Sequence, residues 1–257
     1  MDPEGGHLMI DFLLDGAHWT GPEGIPALLL QHLIYTFLAL FAAALVAVPL
    51  GLYIGHTGRG SVVVAGLANS LRALPTIGLL ILLVLVIAPS FSSKLAYLIP
   101  SLIVLVLLAI PPILTNTYAG IRSVDPAAVD AARGMGFRSM RILTEVELPC
   151  ALPLMLSGVR SAVLQIVSTA TVAAYISLGG LGRLLIDGKA QSDYAQMAAG
   201  AVLVSLLALA FDLAIGFLTV RVVSPGLTRR VRSSTRTASE DPAVAARPAS
   251  APEPSLI

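Results

Sequence analysis

The sequence predicts an all-α protein that crosses a membrane five times, or six times if its second apolar segment is divided. Of its 257 residues, 56% are hydrophobic and 12% are charged, against roughly 25% charged in soluble domains. Apolar segments long enough to span a bilayer fill most of the chain, which leaves no room for a separate soluble catalytic domain. The net charge of +1 gives no indication of nucleic-acid binding.

Each membrane helix needs about 20 apolar residues, and five segments meet this requirement. They are predicted at residues 28–54, 61–88, 95–118, 153–178 and 195–223. Pro75 is expected to kink or split the second segment, while Pro111 and Pro112 are expected to bend the third.

Basic residues set the predicted orientation. With five spans, Arg59, the loop at residues 122–150 and the C-terminal arginines share one side, which the positive-inside rule makes cytoplasmic. A sixth span would put the acidic N-terminus inside, so five spans are favoured. Residues 1–27 are then an extracytoplasmic segment, with Trp19 as an interfacial anchor. Residues 228–257, rich in Ala, Pro and Ser, are expected to be a disordered cytoplasmic tail whose arginines favour anionic lipid.

The loop at residues 122–150, which we call the coupling segment, is both charged and amphipathic. Asp125 suits the N-cap of a first short helix, Gly136 suits a break with positive φ, and a second helix follows. Pro149 is expected to end that helix and Pro153 to begin the next span. The second helix carries an apolar stripe at Phe137, Met140, Leu143 and Val146. A plain solvated loop needs no such stripe and no patch of alanines, whereas a docking surface for a cytoplasmic protein explains both.

The motif in this segment resembles that of a known family. "DAARGMG" at Asp130, followed nine residues later by "VELP" at Val146, is similar to the EAA signature of ABC importer permeases, with Asp in place of Glu and Val in place of Ile. In that family the motif forms a coupling helix that sits in a groove on an ATPase subunit. The resemblance assigns ATPase coupling to Asp130, Ala131, Ala132, Gly134, Gly136, Phe137, Met140, Val146, Leu148 and Pro149.

A wider resemblance covers residues 28–227. "NSLRALPTIGLL", "PPILTNTYAGIRSVDPAAVDAARGMG" and "SLGGLG" are similar to segments of the permeases that import glycine betaine, choline or carnitine. The resemblance implies a type I ABC importer permease fold in the cell membrane, coupled to ABC ATPase subunits through residues 125–148. It also implies a second permease, identical or sister, and an extracytoplasmic solute-binding protein. Neighbouring branches import methionine or other small solutes, so a methionine or amino-acid permease is the alternative within the class.

The sequence lacks the motifs of nucleotide binding, metal binding and disulfide formation. The chain has no G-x-x-x-x-G-K-[ST] loop, so ATP hydrolysis is expected in a separate subunit, with no cofactor bound directly and no enzymatic activity of its own. The four histidines have no second ligand at metal spacing. Cys150 is the single cysteine, which excludes an internal disulfide. An ATP-independent carrier or osmotic channel is the alternative from a different class.

The fourth predicted span carries polar residues at about helical spacing. We expect a translocation path lined by Ser161, Gln165, Ser168, Thr169 and Tyr175. Small hydroxyl residues in membranes also serve simply to pack helices, but Gln165 at mid-depth favours a water-filled path. Arg160 and Asp212 lie at similar depths and are predicted to form a structural ion pair. The "GGLG" at Gly179 needs unusual backbone angles and either receives a binding protein or simply turns the chain.

Overall fold

The computed structural model describes residues 3–60, 62, 66, 70, 74–91, 93–176 and 178–222. The regular elements in these residues are all helical, which confirms the predicted all-α fold. The α-helices are α1 (Pro3–Leu14), α2 (Ile25–Thr57), α3 (Thr76–Ile87), α4 (Leu95–Arg122), α5 (Pro126–Gly134), α6 (Ser139–Ile142), α7 (Leu148–Ala173), α8 (Gly182–Gln191) and α9 (Tyr194–Val222). Arg72 and the predicted tail at residues 228–257 lie outside the described residues.

Among the residues that the structure describes, four helical stretches are long and apolar enough to cross a membrane. They are α2, α4, the continuous run Ser139–Ile176, which contains α6 and α7, and α9. The second predicted span is described only from residue 74 onwards, apart from three isolated positions, and there α3 begins directly after Pro75. A proline at this boundary agrees with the predicted interruption, because proline disfavours a helical residue before it.

The core is a bundle of α2, α4 and α7, and α3 packs against this bundle. One face of α2 buries an alanine at every fourth residue, at Ala39, Ala43 and Ala47. These small side chains let α4 approach closely, and its Leu105 and Ile113 are fully buried. Lipid is as apolar as leucine, so helices associate in a membrane through such close packing rather than through exclusion of water.

Glycines bring the same helices together near the coupling segment. A Cβ atom on Gly51 would lie 2.7 Å from the Cβ of Thr117, and one on Gly55 would lie 2.7 Å from the Cβ of Ile121. Gly120 of α4 meets Ala151 of α7 in the same manner, with only 3.0 Å between the two β-carbon positions. At these three positions, near the coupling segment, the helices are too close for a larger side chain.

The chain does not break at Pro149 and Pro153, contrary to prediction. A π-helix, Leu143–Glu147, joins α6 directly to α7, so one helical run continues from the coupling segment into the span. Pro149 is the second residue of α7, directly after the π-helix, and the helical run continues through it. Pro153 lies inside the helix, which continues through it. Pro111 and Pro112 likewise lie inside the continuous α4.

The other end of the bundle is closed by α1, α8 and the start of α9. Phe12 and Leu13 of α1 pack against a buried cluster that includes Leu28 and Leu184. The indole N–H of Trp19 donates a hydrogen bond to the carbonyl oxygen of Leu13 over 2.8 Å. The N-terminal residues thus pack on the bundle itself, and the role of Trp19 as a membrane anchor stays a prediction.

We predict that Gly51→Leu destabilises the protein, because the new side chain would push Thr117 and α4 away from α2. Overpacking of this kind costs about 1–3 kcal/mol, which corresponds to a fall in Tm of roughly 2–4 °C per kcal/mol. Thermal unfolding of the purified protein in detergent measures the effect. Gly216→Leu on α9 is the matched control, since a Cβ there meets nothing within 4 Å. Equal falls in Tm for the two variants would contradict the prediction.

Candidate functional site: the coupling segment and the polar face of α7

The coupling segment forms two short helices separated by a glycine break, as its residues predict. The carboxylate of Asp125 caps α5 by accepting a hydrogen bond from the backbone N–H of Ala127 over 2.9 Å. Gly136 adopts a φ of 83°, which side chains other than glycine rarely tolerate. The chain then extends through Arg138 and enters α6 at Ser139.

An apolar surface on this segment faces outward from the single chain. Met135 is 70% exposed and Met140 is 69% exposed, which is unusual for such large apolar side chains in a charged loop. Three alanines of α5 are also exposed. We call this surface the docking face and define it as Ala127, Ala128, Ala131, Met135 and Met140.

The residues predicted for ATPase coupling divide between this surface and the interior. The exposed ones are Asp130, Ala131, Gly134, Gly136, Met140 and Pro149. Phe137, Val146 and Leu148 are half-buried, and Ala132 is only 1% exposed. The apolar stripe of the second helix is therefore split, since only Met140 points fully outward. Ala132 instead packs inside the protein, where a larger side chain would not fit.

Ion pairs neutralise much of the charge within the coupling segment. Arg133 donates to the carboxylate of Asp130 over 3.0 Å, and Arg141 donates to Glu145 over 2.8 Å. The guanidinium of Arg141 also lies 4.1 Å from the centre of the Phe137 ring. Exposed pairs of this type contribute little stability individually. They hold the side chains in place around the docking face.

A second polar cluster at the coupling segment has no local signal in the sequence. Nδ1 of His56, in the last turn of α2, lies 2.5 Å from a carboxylate oxygen of Glu147, and Nε2 lies 2.6 Å from the hydroxyl of Ser139. His56 and Glu147 are 91 positions apart, so no helical period relates them.

Most residues of the predicted translocation path share one uncovered face of α7. Ser161, Gln165 and Ser168 of α7 are exposed in the single chain, as is Tyr175 in the 3₁₀ helix Ala174–Ile176 that follows α7. Thr169 is only 5% exposed and lies off this face, and its hydroxyl accepts a hydrogen bond from Gln165 over 3.2 Å. Thr169 lies one helical turn beyond Gln165, so its hydroxyl can hold the Gln165 side-chain amide in place.

Arg160 and Asp212, which the sequence predicts to pair because they lie at similar depths in the membrane, form an ion pair in the structure. The guanidinium donates two hydrogen bonds to the two carboxylate oxygens in a fork, joining α7 to α9. The Arg160 side chain is 45% exposed and that of Asp212 is 26% exposed. That this pair serves structure rather than transport stays a prediction.

A cavity of about 820 Å³ opens at the end of the bundle opposite the coupling segment. Its wall includes Gln31 and Tyr35 of α2, Tyr97 of α4, and the α8 ion pair between Arg183 and Asp187. The "GGLG" turn borders it, and Gly179 and Gly180 have φ values of 85° and 77°, which confirms the predicted unusual backbone. The N–H of Gly180 donates to the Gln31 side chain over 3.2 Å.

In the part of the chain that the structure describes, no three His, Cys, Asp or Glu residues lie close enough together to hold a metal ion. Cys150 is a half-buried free thiol.

Comparison with known proteins gives one family and a consistent set of relatives. The profile of the family described as "Binding-protein-dependent transport system inner membrane component" matches residues 47–227. The chain is 33% identical to the osmoprotectant import permease protein OsmW of Salmonella typhimurium, over 85% of this chain and 98% of that protein. It is 29% identical to the carnitine transport permease protein OpuCD of Listeria monocytogenes, over 78% and 86% of the two chains.

Two further comparisons extend this set. The choline transport system permease protein OpuBB of Bacillus subtilis is 28% identical over 77% of this chain and 88% of its own. Among solved structures, an inward-facing form of the MetNI methionine ABC transporter matches with a TM-score of 0.64 at 21% identity, covering 87% of this chain and 100% of that chain. At that identity the structural likeness establishes the fold alone.

We predict that Asp212→Ala and Arg160→Ala each lower the yield of folded protein, because each leaves an unpaired charge within the membrane. The exchange Arg160→Asp with Asp212→Arg restores the pair and should recover most of that yield. The monodisperse fraction in size-exclusion chromatography measures it. An exchanged variant as poor as either single variant, or single variants that fold normally, would contradict a structural role for the pair.

Proposed function

The chain belongs to the binding-protein-dependent transport system inner membrane components, and from this we propose that it is the permease subunit of an ATP-driven importer of osmoprotectants such as carnitine, choline or glycine betaine. The observation that carries the substrate class is 33% identity to an osmoprotectant import permease across 98% of its length. The carnitine and choline permeases support the same class. The methionine alternative is supported by a structural likeness at 21% identity.

The docking face is where we place the ATPase subunit. Small alanines let a partner approach the backbone of α5, and the two exposed methionines supply adaptable apolar contacts. The intact spacing of the family motif in the same segment supports this assignment. ATP is then hydrolysed by the partner, and this chain contributes the path and the coupling. The end of the bundle with the coupling segment is accordingly cytoplasmic.

The exposed polar face of α7 is the part of the path that this chain contributes. Ser161, Gln165, Ser168 and Tyr175 line one side of a helix, and polar groups uncovered within a membrane span need water or a partner. A second permease, identical or sister, supplies the opposite wall. Thr169 serves the path indirectly, by orienting the Gln165 amide.

The cavity at the other end is the proposed extracytoplasmic entrance, where a solute-binding protein releases its cargo. Its two tyrosines offer aromatic faces to a quaternary ammonium group, which cannot donate hydrogen bonds and is attracted by aromatic rings. Glu23 adds an acidic group to the same wall and Lys94 offers an ammonium group to a carboxylate, while Arg183 and Asp187 are paired with each other. A zwitterion such as carnitine therefore meets partners for both of its charged ends.

Reconstitution tests the proposal directly. The permease is placed in liposomes with its ATPase and binding protein, and uptake of radiolabelled carnitine, choline, glycine betaine and methionine is measured with ATP and with a non-hydrolysable analogue. We expect ATP-dependent uptake of at least one quaternary ammonium solute and none of methionine. Uptake that persists without hydrolysable ATP would instead support the carrier or channel alternative.

We predict that Ala131→Glu prevents ATPase docking, because it puts a bulky charge where a partner approaches the backbone. Loss of a central interface contact costs about 2 kcal/mol or more, which weakens binding by roughly thirtyfold. Co-purification of the ATPase with the permease measures it. Leu14→Glu, at an equally exposed apolar residue on α1, is the control and should bind the ATPase normally. Normal docking by Ala131→Glu would refute the assigned surface.

We also predict that Gln165→Leu lowers solute uptake several-fold while the ATPase still binds, since the change removes a polar group from the path without touching the docking face. Ser205→Leu on α9 is the matched control, being an exposed polar residue of another span whose hydroxyl donates only to its own helix. Uptake by proteoliposomes gives the readout. Equal uptake by the two variants would remove Gln165 from the path.

A further inference from the structure

His56 connects α2 to both ends of a short stretch of the coupling segment. Its imidazole lies between Ser139, the first residue of α6, and Glu147, the last residue of the π-helix. We call this cluster of three residues the His56 bridge. An ionised carboxylate only accepts hydrogen bonds, so Nδ1–H donates to Glu147, while the Ser139 hydroxyl can donate to or accept from Nε2.

Burial makes these hydrogen bonds significant. The side chains of His56 and Glu147 are only 16% and 9% exposed, so water competes little for either group. A hydrogen bond to a charged partner is worth more than one between neutral groups. A buried carboxylate that lost its partner would be left unsatisfied, which is the costly outcome.

The position of the bridge in the chain suggests what it does. The coupling segment continues directly into α4 at one end and into α7 at the other, so these two spans follow any movement of the segment. The first span, α2, has no such covalent continuity with the segment. It contacts α4 through Gly51 and Gly55, and it reaches the coupling segment itself through His56. The π-helix that carries Glu147 is a form of helix often found at functional sites.

We propose that His56 is a positioning residue that makes α2 move together with the coupling segment when the ATPase closes. This inference rests on the proposed function. With the bridge intact, a push on the docking face moves three spans as one unit and opens the path. Without it, α4 and α7 move while α2 lags, and ATP is hydrolysed without solute being carried.

The test uses the complete transporter in proteoliposomes and measures the solute imported per ATP hydrolysed. His56→Leu removes both hydrogen bonds at similar volume, and we expect this ratio to fall about tenfold, as for loss of one charge-assisted hydrogen bond. His56→Gln keeps an N–H donor for Glu147 and should recover much of the ratio. His18→Leu, at the opposite end of the bundle, is the matched control and should keep the wild-type ratio.

Three results would overturn the proposal. The first is a wild-type ratio in His56→Leu, and the second is a loss of assembled complex in which the surviving transporters still couple normally. The third concerns the contact itself and needs no transport: His56→Leu and Glu147→Ala together should lower Tm no more than the worse single variant, whereas additive falls would show that the two residues do not interact. A wild-type transporter without ATP-dependent uptake would refute the proposed function and leave this third measurement to decide the bridge.

Discussion

The close approach of α2, α4 and α7 through small residues is the constraint on which the rest of the structure depends. A membrane provides no exclusion of water to drive helices together, so they must pack closely enough for dispersion forces to hold them. Alanines on α2 and the glycines at positions 51, 55 and 120 permit this proximity. The resulting bundle has little free space near the coupling segment, so a displacement there is passed to neighbouring helices instead of being absorbed.

The coupling segment is built on that bundle. It connects α4 to α7 without an interruption on the α7 side, because the π-helix joins α6 to the span. Its inner surface, with Ala132 and Ile142, is buried against the protein, while the docking face is left uncovered. One element thus has an anchored side and a free side. An element that transmits the movement of an ATPase to a translocation path needs both sides, one to contact the ATPase and one to move the spans.

The features that the sequence could predict are local ones. Spans follow from apolar length, the α5 N-cap from Asp125, and the break from a glycine that can adopt positive φ. The prediction that Pro149 ends a helix was wrong, because the π-helix before it joins α6 to α7 and the helical run passes through Pro149. His56 and Glu147 meet only through tertiary packing, as do the residues around the 820 Å³ cavity, and a local pattern in the sequence contains neither fact.

The central claim is that the docking face is held by an ATPase during transport. Incorporation of a photo-crosslinking amino acid at position 140, in the reconstituted transporter, tests it most directly, with position 14 at the opposite end of the bundle as the reference. We predict that irradiation links position 140 to the ATPase subunit and that the crosslink stops ATP-dependent uptake. Active transport with no crosslink from position 140 to the ATPase would contradict it.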